Sequence, residues 1–172
     1  YSMDIRQCQI GMRLDFGHVM NIYAGTIVGC QYGVTFKNNK SVAFHGMYFE
    51  HQYVDDVVLG TATSVLTGII FNACRFSMHG NKARFISHVK NDVSLNSCVF
   101  EADNGHTITN AIVQEGTAGA LNLTSPIWNN ITNLIYKVQE SKGYALAYGG
   151  NGLIASIGYG NGIRKIGARA AL

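Results

Sequence analysis

Two stretches of this chain share nearly the same eight letters, IIFNACRF at 69–76 and VSLNSCVF at 93–100, 24 residues apart. Both read apolar, any, apolar, any, small, Cys, any, large apolar. IRQCQI at 5–10, IVGCQY at 27–32, VAFHGMYF at 42–49 and LNLTSPIW at 121–128 repeat the pattern in full or in part. The anchor positions are 8, 30, 47, 74, 98 and 126, with spacings of 22, 17, 27, 24 and 28, a loose period near 24. Strand-like content at such a period predicts stacked β-coils, because each copy can bury its apolar side only against its neighbours. A β-sandwich also repeats short strands between turns. It does not require similar residue types at one coil position again and again.

Alternation with period two predicts which side chains enter the coil. One inward line comprises Ile5, Ile27, Phe44, Phe71, Leu95 and Leu123, and a second Ile10, Tyr32, Phe49, Phe76, Phe100 and Trp128. The small residue before the anchor (Gly29, Gly46, Ala73, Ser97, Ser125) suits a sharp bend between two strands. Asn72 and Asn96 precede it, and Asn tolerates left-handed backbone angles. Stacked copies of such polar residues can hydrogen-bond along the ladder. The anchors, Cys8, Cys30, Cys74 and Cys98 among them, form an interior column where volume matters more than thiol reactivity. Between anchors lie second strands at 11–16, 33–38, 57–60 and 83–87.

The bulk numbers agree with a packed domain. Of 172 residues, 47% are hydrophobic and only 13% charged, against what disorder requires. Twenty glycines and one proline fit many turns. A net charge of +3 with scattered Lys and Arg lacks the basic stripe of a nucleic-acid groove, and no apolar run approaches a membrane span. The four cysteines contain no CxxC pair, and the six histidines no metal-like pair, so neither a metal nor another cofactor is expected. The chain begins at Tyr1 without a Met, which reads as a piece of something longer.

After Trp128 the repeat fades. Residues 131–143 fit a short helix or a strand equally. From 144 to 167, Asn-Gly at 151–152 and 161–162 flanked by alternating apolar residues signals hairpins, hence an antiparallel meander. The expected organisation is a β-helix domain at 1–130 and a cap or trimerisation segment at 131–172.

VAFHGMYFEH and VSLNSCVFEA, each ending a coil segment in Phe-Glu, resemble right-handed parallel β-helices of the pectin-lyase-like superfamily, most of all bacteriophage tailspikes and depolymerases. The resemblance covers about residues 3–128. It implies an all-β fold, a right-handed parallel β-helix of about six coils followed by a Gly-rich antiparallel segment. It also implies a homotrimer on the virion tail, outside the cell and beside other tail proteins, that recognises and often cleaves bacterial surface polysaccharide. Nucleic acid and membrane insertion have no place in that reading.

If Phe49 and Phe100 point inward, Glu50 and Glu101 point outward at one coil position with Ser77 between them. Two rungs separate them by about 10 Å at Cα, and inverting glycosidases hold their carboxyls roughly 6.5–9.5 Å apart. One would be the general acid and the other the base that activates water. Asp55 and Asp56, in the loop after Glu50, are further candidates for these roles. Tyr48 and Tyr53 are candidates to stack on sugar rings, with His51 and Arg75 as polar substrate contacts. The competing readings are a non-enzymatic tail-fibre shaft or adhesin stalk, and a monomeric pectin-type lyase. Outward carboxylates gathered in one groove would favour the enzyme.

Overall fold

In a computed structural model, the protein is described over residues 2–59, 66–79, 85–87, 93–103, 105–114, 120–137, 144–148, 157–159 and 162–164. Every regular element among them is a strand. Chain order is β1 (Met3–Arg6), β2 (Ile10–Val28), β3 (Tyr32–Glu50), β4 (Asp55–Leu59), β5 (Thr67–Asn72), β6 (Arg75–Met78), β7 (Phe85–Ser87) and β8 (Val93–Asn96). Then follow β9 (Val99–Ala102), β10 (Ile108–Gln114), β11 (Ala120–Thr124), β12 (Ile127–Asn129), β13 (Ile131–Lys137), β14 (Tyr144–Tyr148), β15 (Ile157–Tyr159) and β16 (Gly162–Arg164).

The strands stack in parallel as a solenoid with three faces. The first face stacks β1, the ends of β2 and β3, β6, β9 and β12. The second stacks the starts of β2 and β3, then β4, β7, β10, β13 and β15. The third stacks the middles of β2 and β3, then β5, β8, β11 and β14. Three-sided circuits are closed by β2, by β3, by β4–β6, by β7–β9 and by β10–β12, slightly fewer than the six coils expected.

Three corners join the faces, each turned by a residue in the left-handed region. Gln7, Gly29 and His51 (φ 54°, 62° and 55°) make one corner, and Val19, Ser41 and Gly68 (49°, 55° and 62°) another. Ala24, Gly46, Ala73, Ser97 and Ser125 (φ 45° to 62°) make the third. A non-glycine residue in that region costs about 1–2 kcal/mol, which the ladders above and below must offset. The bend predicted at the small residue before the anchor is therefore where the chain turns. Asn72 and Asn96 do not adopt the turn themselves; their side chains form a polar ladder on the third face instead. Asn96 Nδ2 donates to Asn72 Oδ1 (2.8 Å), and Asn72 Nδ2 lies 3.2 Å from His45 Nδ1.

The registers correct the first two coils of the predicted inward lines. Ile5 and Ile27 stack with Phe49, Phe76, Phe100 and Trp128 on the first face. Phe44, Phe71, Leu95 and Leu123 stack below Ile22 on the third. Ile10 and Tyr32 belong to the second face, in line with Asp55. The anchors divide in the same way. Met47, Cys74, Cys98 and Pro126 form one buried column, whereas Cys8 and Cys30 stand at a different corner, with Cys8 exposed. The anomalous spacing of 17 between positions 30 and 47 is the step from one corner to another, not a full turn.

The interior is a set of ring ladders. Phe49, Phe76 and Phe100 stack with centroids 5.0 and 4.9 Å apart, nearly parallel, and Phe44 lies 5.0 Å from Phe71. The near 4.8 Å rise between strands fixes that spacing, so identical rings at one coil position must stack. Cys74 and Cys98 pack among them and donate to the carbonyls of Phe44 and Phe71.

Residues 131–137 resolve as strand, and the parallel stack continues through it onto β14 and β15. Antiparallel pairing enters between β15 and β16. The predicted turn at 151–152 lies outside the described residues.

Candidate functional site

The first face and the corner that follows it carry Tyr48, Glu50, His51, Tyr53, Arg75 and Glu101, whereas Asp55 and Asp56 lie on the second face. Tyr48, Arg75 and Val99 share one outward column, and Glu50, Ser77 and Glu101 the next but one. The register therefore sets Glu50 and Glu101 two rungs apart, as the alternation predicts, although Ser77 between them is buried. Arg75 spans the two columns. Its guanidinium lies 5.4 Å from the centre of the Tyr48 ring and reaches Glu101 Oε1 with Nη2 at 2.6 Å and Nε at 2.7 Å. That hydrogen bond and charge hold the Arg75 pKa above its ordinary value. The Glu101 side chain is 19% exposed and Arg75 55%, so the arginine covers the carboxylate. Glu50 is half-buried, and Tyr53 stands out 63% exposed just past the corner.

Asp55 and Asp56 are corrected. They are not a polar loop but open β4, and both are buried. Asp56 follows Gly33 in the stack, where an added Cβ would sit 3.3 Å from the Phe49 ring. Position 56 therefore adjoins the interior rather than a sugar-binding surface. Neither carboxylate oxygen of Asp56 has a hydrogen-bond partner among the described residues. Burial, with the neighbouring Asp55 charge second, pushes its pKa well above the carboxylate range. Neither residue can meet an extended polysaccharide on the outer face.

His51 has a different setting from the one expected. It turns the corner after Glu50, and the next two rungs bring His79 and Asp103 beside it. His51 Nε2 lies 2.8 Å from Asp103 Oδ2, and His79 Nδ1 3.7 Å from the same oxygen. One ligand-type atom from each of the three residues falls within 4.8 Å of those of the other two. The His51 and His79 rings are 5.0 Å apart, and His106, from the turn that begins at Asp103, sets its ring 4.7 Å from His79. Spacing along the chain hid this cluster because its members are 28 and 24 residues apart. The coil period contains the signal: His79 and Asp103 each stand five residues after an anchor cysteine, and His51 four after Met47.

A second outward group lies on the third face. Tyr23 stacks on His45 at 4.7 Å and 12°, and His45 continues the ladder of Asn72 and Asn96. His45 thus takes the place that Asn holds in later coils, a structural role within the ladder.

The first face can hydrogen-bond hydroxyls through Arg75 and Glu101 and offer Glu50 as an acid or base, and past its corner Tyr53 exposes a ring on which a sugar can stack. Comparison of the chain with protein-family models, curated proteins and solved structures finds no match.

Proposed function

We propose that this chain is part of a tailspike-like β-helix that binds bacterial surface polysaccharide along its first face. The supporting observation is that Glu50 and Glu101 share one outward column, two rungs apart, beside the Tyr48–Arg75 contact. A glycan lying along the axis would meet aromatic, cationic and anionic groups in sequence. Hydroxyl-rich ligands suit such a surface, since each hydrogen bond to a charged partner contributes about 1.5–3 kcal/mol. Homotrimeric assembly on a virion tail belongs to the same reading.

Hydrolysis is the second reading, favoured by the two-rung separation of Glu50 and Glu101, about 10 Å at Cα, within side-chain reach of inverting geometry. The engagement of Glu101 by Arg75 and the burial of Asp55 and Asp56 weigh toward binding without cleavage, as in a shaft or adhesin. A panel of capsular and O-antigen polysaccharides separates the two. Binding is measured for wild type and Tyr53→Ala, and reducing-end release for wild type, Glu50→Gln and Glu101→Gln. Binding weakened at least about tenfold by Tyr53→Ala, the loss of one stacked ring, supports the carbohydrate surface. Release abolished by either Gln variant makes it a depolymerase. No binding to any member of the panel rejects the proposal.

A further inference from the structure

We propose that His51, His79 and Asp103 bind one divalent transition-metal ion of the zinc class, fastening three successive turns of the solenoid at one corner. The proposal is independent of the carbohydrate reading.

Ligands held at about 2.1 Å by a tetrahedral metal stand about 3.4 Å from one another. The separations from Asp103 Oδ2 to His51 Nε2 and His79 Nδ1, 2.8 Å and 3.7 Å, bracket that value, and one ligand atom from each of the three residues lies within 4.8 Å of the others. The convergence is built by the fold. His51 is held in the left-handed region at the corner (φ 55°), with its amide donating to Ser77 O. Asp103 is placed by its amide donating to Met78 O, and it opens a turn closed by the His106 amide donating to Asp103 O. His79 follows Met78 directly, so the ladder that pairs Met78 with Ala102 brings it beside Asp103.

The ordinary alternative is a surface His–Asp hydrogen bond. His51 Nε2 argues against it. That atom is buried and 2.8 Å from a carboxylate oxygen, yet it makes no aligned hydrogen bond with any described residue. Close approach without alignment is what two groups aimed at a common third point show. A buried imidazole nitrogen whose close neighbour is a misaligned carboxylate is only partly satisfied, and a metal would engage both groups at once.

Ligand chemistry selects the class. Two imidazoles and one carboxylate suit zinc and its first-row neighbours, whereas calcium and magnesium take oxygen ligands. Water would take the fourth position; His106 is exposed and its ring packs against that of His79. A metal here joins the ends of β3, β6 and β9 along the solenoid axis, the direction in which the stack would otherwise unzip.

The test uses protein stripped with a chelator and titrated calorimetrically with Zn²⁺ alone. Expected are one Zn²⁺ per chain, a melting temperature that rises with Zn²⁺ and no such response to Ca²⁺. His79→Gln and Asp103→Asn should each weaken binding about tenfold or more, since even outer-shell changes cost 10–100-fold. His51→Asn keeps a residue that tolerates the left-handed corner and should do the same. Cys8→Ser, at the one exposed thiol among the described cysteines, should leave binding unchanged. Absence of Zn²⁺ binding overturns the proposal. So does binding that persists in His79→Gln and Asp103→Asn with unchanged circular dichroism, or that is lost in Cys8→Ser.

Discussion

Asp56 offers the sharpest test of how this interior is built. It is fully buried on the second face, its oxygens lack hydrogen-bond partners among the described residues, and burial before all else raises its pKa. A carboxyl whose folded pKa lies above its unfolded value of about 3.9 binds its proton more tightly in the fold. Its contribution is therefore fully present below the unfolded pKa and is lost as pH rises toward the folded one. Each pH unit inside that window costs up to about 1.4 kcal/mol. Between about pH 4.5 and 6.5 the loss reaches at most about 2.6 kcal/mol, where the folded pKa exceeds the upper limit. Asp56→Asn keeps the shape of the protonated carboxyl and cannot ionise. Urea denaturation of wild type and variant across this range should show the variant gaining on wild type as pH rises, by up to that amount. The difference between the two proteins reports Asp56 with its coupling to Asp55 and cancels the titrating groups further away. If wild type instead gains on the variant with rising pH, the carboxylate is ionised and paired in the fold, and the reasoning fails.

Phe76 is the middle ring of the Phe49–Phe76–Phe100 stack, so Phe76→Ala should destabilise by about 3–5 kcal/mol; a loss below about 1 kcal/mol in chemical denaturation would contradict a close-packed ladder. Two glycines should separate steric from conformational cost. At Gly33 a Cβ would run into the backbone carbonyl oxygen of Asp56 one rung on, whereas at Gly46 (φ 62°) it meets open space. Gly46→Ala should therefore cost about 1–2 kcal/mol from its left-handed angle alone, and Gly33→Ala more, through a backbone clash that forces the rungs apart. Equal losses in thermal melts would mean that the rungs can separate freely at Gly33.

Much of the fold was legible because a solenoid writes its geometry locally. Phe44, Phe71 and Leu95 recur at one coil position since each must fill the same slice of interior, and Gly46, Ala73 and Ser97 recur since each turns the same corner. Where two corners use the same letters, the pattern misleads. Cys8 and Cys30 carry the anchor motif yet stand one corner away from Met47, Cys74 and Cys98. The same limit applies to Asp55 and Asp56: adjacent acids after a strand read as a loop, and only β4 pairing with β3 shows them buried.

The site divides along the same line. Alternation alone put Glu50 and Glu101 outward in one column, because side chains in a strand have a period of two. It could not show Arg75 reaching diagonally onto Glu101, which depends on rotamers and on the column spacing between strands. Nor could it assemble His51, His79 and Asp103, which lie a coil apart in the chain and meet only because each turn returns to the same corner. The repeat determined that this chain stacks as a parallel β-solenoid, since strand period and copy number are properties of the letters. Which residues share a rung was decided by the tertiary structure alone, because register is set by where the corners close, and the loops between corners vary in length.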